Sequence, residues 1–313
     1  MKRILVVGSS NTDLIIKAPE IPRPGETLLG GEFYTFPGGK GANQAVAAAR
    51  GGGDVVFIAS VGDDSYGAES LKGYKLDNIN TENIKICKNT PSGVAMITIS
   101  DHGENAITVA SGANAQLKPE DLDEAEEAFD EAEYMLVQLE TPMETVQKAV
   151  ALCREFDTMV ILNPAPAAAL PDDIISQIDI ITPNETEAER LTGVTVSNES
   201  DALKAAHILH KRGVNTVIIT MGAEGAFLSD KPSGTSAMIP GFVVDVVDTT
   251  AAGDTFNGQL AVSLAEGMEM EVAIRSAHAA AALSVQKLGA QASVPRREET
   301  DYFLEEQLKS EKQ

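Results

Sequence analysis

The segment Asp248-Thr249-Thr250-Ala251-Ala252-Gly253-Asp254-Thr255-Phe256 concentrates groups that could do chemistry. Its small residues open a helix at about Gly253, where backbone N–H groups and the positive end of the helix dipole converge on one point. Such an anion hole suits a transferring phosphoryl group, whose charge spreads over three oxygens. Asp254 falls in the first turn, where the same potential favours its ionised form. A carboxylate there can take a hydroxyl proton while phosphate is held in line. Read alone, the pattern equally fits an aspartate that merely decorates a helix N-terminus. A second segment, Phe36-Pro37-Gly38-Gly39-Lys40-Gly41-Ala42-Asn43-Gln44, runs a Gly-rich loop into a helix. Glycines let backbone approach a ligand, and Lys40 and Asn43 add a charge and an amide. It is not a Walker A loop, because Gly41 stands where Ser or Thr is needed; no G-x-G-x-x-G follows the first strand either. The missing fingerprint argues against a dinucleotide-dependent dehydrogenase.

The elements that must position these residues alternate. Strand-length apolar runs occur at Arg3–Gly8, Val55–Val61, Tyr134–Leu139, Thr158–Leu162, Ile178–Thr182 and Thr216–Met221. They are nearly continuous, as strands buried on both faces are. Helical periods fill Ala42–Arg50, Ser65–Leu76, Pro119–Ala132, Glu144–Phe156, Glu185–Leu191 and Asp201–Arg212, with Gly51-Gly52-Gly53 and Gly213 where C-caps belong. The repetition predicts an α/β fold: a mostly parallel sheet flanked by helices. Ligands in such sheets bind beyond the carboxyl ends of the strands. That rim carries Ser9 to Asp13, Glu140, Asn163 to Pro166, Thr182 to Glu185 and Met221 to Gly225. Any one of these could be a turn or an N-cap; their recurrence on one rim argues for a site.

Two regions break the alternation. Residues 14–36 hold Pro19, Pro22, Pro24 and Gly25 among short extended pieces. Residues 93–111 read as a hairpin, GVAMITIS and NAITVAS about an Asp101–Glu104 turn. Together they suggest a small sheet standing off the main one: a lid, a dimer surface or both, or else plain surface hairpins. The C-terminal third is helical, with Ala-rich Gly253–Glu266 and Val272–Lys287 and a charged tail helix, Arg297–Gln313. The acidic stretch Glu120–Glu133 reads as a solvated helix face.

The 313 residues permit two domains or one large α/β unit. Lys and Arg number 24 against 47 Asp and Glu, a net charge of −23. A chain this acidic repels nucleic-acid backbones and anionic membranes, and no Lys/Arg run offsets that. No apolar stretch approaches a membrane span, and Ile4–Val7 is too short for a signal peptide. Cys87 and Cys153 have no metal-ligand or redox spacing and read as free thiols in a reducing cytoplasm.

The stretches GGKGANQAVAAAR (38–50) and DTTAAGDTFNG (248–258), with TPNETEAERLTG (182–193) and GAQASVP (289–295), resemble the signatures of the ribokinase family of carbohydrate kinases. LVQLETP, LNPAPA and AHAAAALSVQKLGAQASVP resemble its ribose-phosphorylating members more than its fructokinase or adenosine kinase members. The resemblance runs along essentially the whole chain. It implies one three-layer ribokinase-like α/β domain over 1–313, with a β-sheet lid formed by about 14–36 and 93–111, and a homodimer through that lid.

Roles follow by resemblance. Asp254 would be the base that deprotonates the 5-hydroxyl of D-ribose, with the amides of Ala252, Gly253 and Asp254 as the anion hole. Asn11, Thr12, Asp13, Gly39, Lys40, Gly41, Ala42, Asn43 and Glu140 would bind the sugar. Asn184 would touch the phosphates of ATP, and Glu187 would help order Mg²⁺ through water. Thr220, Met221, Gly222, Ala223, Glu224 and Gly225 would line the nucleotide cleft, with His278 near the adenine, though a lone His on an Ala-rich helix is ordinarily a packed residue. A monovalent cation, K⁺ in this family, would sit among Asp248, Thr250, Ser284, Lys287, Gly289 and Ser293, Lys287 giving only its carbonyl. The rivals are a related sugar kinase, such as one acting on deoxyribose, and a catalytically silent sugar-binding protein on the same fold.

Overall fold

The computed structural model describes residues 2–29, 31–102 and 104–310. Gly30 in the first off-pattern stretch, Gly103 of the predicted turn, Met1 and residues 311–313 of the predicted tail helix lie outside the described residues. The strands are β1 (Arg3–Val7), β2 (Asn11–Ala18), β3 (Glu32–Gly38), β4 (Asp54–Gly62), β5 (Ile84–Cys87), β6 (Gly93–Ser100), β7 (Asn105–Ala110), β8 (Ala132–Val137), β9 (Met159–Leu162), β10 (Ile180–Ile181), β11 (Thr216–Thr220), β12 (Gly225–Asp230) and β13 (Thr235–Pro240). A nine-stranded sheet runs β13-β12-β11-β10-β9-β8-β1-β4-β5. It is parallel from β11 to β5, with β12 and β13 added antiparallel at one edge.

Both faces of this sheet are covered, which explains the continuous apolar runs. Leu5, Val7, Val56 and Ile58 belong to one core, and Ile4, Val6, Val55 and Phe57 to another. Successive residues of a strand point to opposite faces, so β1 and β4 feed both cores. The strand order reverses at β1, which has β4 on one side and β8 on the other. A crevice opens at such a point beyond the carboxyl ends.

The off-pattern regions form a separate four-stranded sheet, β3-β2-β6-β7. The 93–111 hairpin is present as β6 and β7, antiparallel. This sheet starts earlier than the expected residue 14: β2 begins at Asn11, so part of the Ser9–Asp13 rim segment is already strand. β5, β12 and β13 escaped the sequence reading. Predicted helix 119–132 is also corrected. It divides into Pro119–Asp123 and Glu126–Asp130, and Ala132 already begins β8. A continuous helix would have stacked its crowded carboxylates one turn apart, a repulsive arrangement. The other predicted helices hold to within a few residues, including Lys40–Arg50, Ala252–Ala265, Met270–Ser284 and Arg297–Ser310. Among the described residues no helix is long and apolar enough to cross a membrane. Both cysteines are buried and free.

Candidate active site

The Ala252–Ala265 helix is buried at every position from Asp254 onward, which carries Asp254 into the molecule. The chain enters this helix through Ala251, held at φ 60° in the left-handed region. The amides of Gly253 and Asp254 have no intrahelical acceptor at this position of a helix. Ala252 differs from expectation: its N–H turns back to the Thr249 carbonyl at 3.2 Å. The hole is therefore centred on the Gly253 and Asp254 amides.

The Asp254 carboxylate is gripped on both oxygens. Asn43 Nδ2 donates to Oδ2 at 2.9 Å and Gln44 Nε2 donates to Oδ1 at 3.0 Å. Both donors lie near the start of the Lys40–Arg50 helix, so the Gly-rich signature positions this carboxylate. Gln44 also donates to Asn163 Oδ1 and accepts from Gln138 Nε2 at 2.6 Å. No sequence pattern marks a role for Gln44 or Gln138; only the fold brings Gln44 to Asp254 and Gln138 to Gln44. Contrary to the helix-dipole expectation, burial pushes the Asp254 carboxyl up, against the pull of Lys40, Asn43 and Gln44.

Lys40 stands among carboxylates. Burial alone would lower its ammonium, but Asp254, Glu140, Glu187 and Asp13 outweigh it and raise it. Asp13 is pushed up to about 7, chiefly by burial and then by Glu140 and Asp254. Glu140, just beyond β8, accepts from Ser9 Oγ at 2.5 Å and from the Lys40 N–H at 3.0 Å, across the point where the strand order reverses. Gly39, at φ 91°, is required here, because a Cβ would lie 2.6 Å from the Asn11 nitrogen.

Asn11 and Asp13 share one face of β2; Thr12 must point to the other, so its side chain cannot join them. Gly41 and Ala42 also serve differently than expected. Their amides go to Ser9 Oγ at 3.3 Å and the Ser9 carbonyl at 2.8 Å, so they fasten the loop to the connector just after β1.

A cavity of about 380 Å³ joins Lys40, Gly253 and Asp254 to Asn184, Glu187, Thr220, Gly222, Gly225 and His278. Asn184 and Glu187 cap the Glu185–Thr192 helix reciprocally, with Asn184 Oδ1 accepting from the Glu187 N–H and Glu187 Oε2 from the Asn184 N–H. An adjoining apolar cleft of about 300 Å³ is walled by Gly222, Ala223, Phe242, Val246, His278 and Val285. Met221 is buried, and its N–H closes onto the Gly225 carbonyl; neither it nor Glu224 lines these cavities. His278 Nδ1 lies 3.2 Å from the Pro240 carbonyl, and its buried Nε2 has no partner. Burial lowers its pKa to about 4, so the ring is neutral, donates through Nδ1 and keeps Nε2 as an acceptor.

The predicted cation ligands form two joined loops. Asp248 Oδ1 accepts from the Thr250 N–H and hydroxyl, and Oδ2 from the Gly289 N–H at 2.9 Å. Ser284 and Ser293 are fully buried. The Lys287 ammonium is turned to Glu299 at 3.0 Å, away from these oxygens. Arg50 reaches the same region from the Lys40–Arg50 helix, donating to the Gln291 and Val294 carbonyls at 2.5 and 3.2 Å.

Comparison with known proteins identifies the family and the fold. The model of the pfkB family of carbohydrate kinases matches residues 1–297. A ribokinase of Haemophilus influenzae is 47% identical over 304 residues, covering 97% of this chain and 99% of that protein. A deoxyribokinase of Salmonella typhimurium is 37% identical over 302 residues, covering 96% and 98%. The structure of Arabidopsis thaliana ribokinase complexed with ribose and ATP superposes with a TM-score of 0.91 at 32% identity, covering 97% of this chain and 98% of that one. The chain belongs to the pfkB family of carbohydrate kinases.

Proposed function

We propose that this chain transfers the γ-phosphoryl group of ATP to the 5-hydroxyl of D-ribose, giving D-ribose 5-phosphate and ADP. The observation that carries this reading is the Asp254 carboxylate, held from two sides beside the open amides at the head of its helix. Asp254 removes the hydroxyl proton, and the Gly253 and Asp254 amides with Lys40 receive charge on the transferring group. The neighbouring apolar cleft takes the adenine, His278 Nε2 accepting a hydrogen bond there. Asn11, Asp13, Asn43 and Glu140 hold the sugar. Two groups complete the site. Asn184 and Glu187, on the wall of the same cavity, would hold Mg²⁺ there, and the ion would supply positive charge against the triphosphate. The oxygens of Asp248, Thr250, Ser284, Lys287, Gly289 and Ser293 suit a monovalent cation such as K⁺. An all-oxygen set anchored by an ionised Asp248, with the Lys287 ammonium turned away, fits it.

The whole chain acts as one domain, and the four-stranded sheet acts as a lid over the sugar, excluding water that would compete as acceptor. The register pairs Ile16 with Phe33 and Leu14 with Met96 on the face opposite Asn11 and Asp13. Ile16, Phe33 and Met96 are 42%, 62% and 60% exposed. That apolar face suits a second copy, giving a homodimer through the lid. Two buried free thiols suit a reducing cytoplasm.

Replacing Asp254 by Asn tests the reading. We expect kcat with ribose to fall by about 10²–10⁴-fold while the ribose KM changes little. Residual activity above about 1% of the parent rate removes Asp254 as the base. A higher kcat/KM for 2-deoxyribose than for ribose overturns the substrate, in favour of the deoxyribose-directed rival.

A further inference from the structure

The side chain of Asn114 was not among the expected site residues, yet it touches one of them. Asn114 lies in the 3₁₀ turn Gly112–Gln116, just after β7 leaves the small sheet. It is 2% exposed. Its Oδ1 accepts from the Ser10 N–H at 2.8 Å, and its Nδ2 donates to the Ser10 carbonyl at 3.2 Å. A backbone N–H can only donate and a carbonyl can only accept, so Ser10 fixes which end of the Asn114 amide is which. The same Nδ2 meets Asn11 Oδ1 at 2.7 Å. The atom of Asn11 that faces Asn114 must therefore be its oxygen, and Nδ2 is the end left to face away.

That polarity matters because carboxylates crowd the site. Asp13, Glu140 and Asp254 are carboxylates clustered around Lys40. A sugar hydroxyl has one proton to give and lone pairs that need donors. A hydroxyl that donates to a carboxylate can only accept from its next partner, and Asn11 Nδ2 offers that hydrogen bond. Gly93, paired with Asn11 across the sheet, keeps the arrangement open: a Cβ there would lie 2.2 Å from both Asn11 Oδ1 and Asn114 Nδ2.

We propose that Asn114 is a specificity-determining positioning residue: it locks the Asn11 amide with its donor toward the sugar, so that the site selects a pentose hydroxyl able to accept. This rests on Asn11 as a sugar ligand, as proposed above. Asn114→Asp keeps the shape and the bond from Ser10, but places a second acceptor against Asn11 Oδ1. The Asn11 amide then turns over and presents its oxygen to the sugar.

The test compares wild type, Asn11→Ala, Asn114→Asp and the double variant in steady-state kinetics on ribose, 2-deoxyribose and ATP. Asn114→Asp is expected to lower kcat/KM for ribose by about 10- to 100-fold, mostly through KM, with the ATP KM within about twofold. The ratio of ribose to 2-deoxyribose should change in the same variant. In the Asn11→Ala background the second substitution should add less than about twofold, because nothing is left to orient. An unchanged ribose KM in Asn114→Asp, or full additivity in the double variant, overturns the proposal while leaving the sugar site standing. An Asn11→Ala variant with normal ribose kinetics overturns both. Should Asn114→Asp fail to accumulate folded, Gly93→Ala supplies the decision, since its Cβ drives the same two amides apart. It must show the same ribose-selective loss, and a loss shared equally with ATP overturns the assignment.

Discussion

Two influences act on the Asp254 carboxylate in opposite directions. The helix terminus alone would favour the anion, yet burial is the largest influence and raises the carboxyl. A base must be ionised to act, so activity is present above its pKa and is lost as pH falls through it. A raised pKa puts that loss at higher pH than for an exposed aspartate. The hydrogen bond from Gln44 Nε2 opposes the shift, because it favours the charged form. Gln44→Leu should therefore move the acidic limb of the kcat–pH profile further up and lower kcat by about tenfold, from the loss of one bond to a buried carboxylate. A limb that stays in place or moves down would show that Gln44 does not tune the base. Gln44 was in plain view inside the Gly-rich signature. Its role was not legible, because a Gln in a helix has no distinguishing pattern until the facing helix is known.

At the scale of elements, the site depends on two helices lying unusually close. The Lys40–Arg50 helix supplies Asn43 and Gln44, and the Ala252–Ala265 helix supplies Asp254. Their separation is set by Gly258, where a Cβ would stand 2.5 Å from Ala47 Cβ and 2.7 Å from the Ala48 nitrogen. The alanine run in the first helix and the glycine in the second thus make one close-packed seam. Gly258→Ala should force the helices apart, lowering stability by about 1–3 kcal/mol as overpacking does. It should also lower kcat, because both donors to Asp254 ride on the displaced helix. Equal urea midpoints and equal kcat for variant and parent would show the seam to be slack. Most helices were legible from their 3.6-residue period. The Glu120–Glu133 stretch misled because periodicity does not register like-charge crowding, and β12 and β13 were missed because a short edge hairpin gives only a weak alternation.

At the scale of the whole molecule, the small sheet exposes a connected apolar face in a protein of net charge −23. Two such anions repel at long range, and apolar contact must overcome that. Pairing through Ile16, Phe33 and Met96 should therefore strengthen with added salt, which screens the repulsion. Phe33→Asp combined with Met96→Asp should convert a dimer into a monomer in sedimentation velocity and raise the sugar KM. A wild-type chain that sediments as a monomer at micromolar concentration, or a double variant that still pairs, would rule out this face as the interface.

The sequence by itself determined the α/β alternation, the two signatures that bear Asp254 and the Gly-rich loop, and the chemistry those residue types permit. These follow from local spacing and side-chain type, which the chain carries without its fold. Only the tertiary structure decided the rest: that β2 begins at Asn11 and turns Thr12 away, that Gly41 and Ala42 fasten the loop, and that Asn114 and Gln44 orient Asn11 and Asp254. Hydrogen-bond polarity and burial depend on partners scores of residues away in sequence. No period or motif encodes them until the chain has closed on itself.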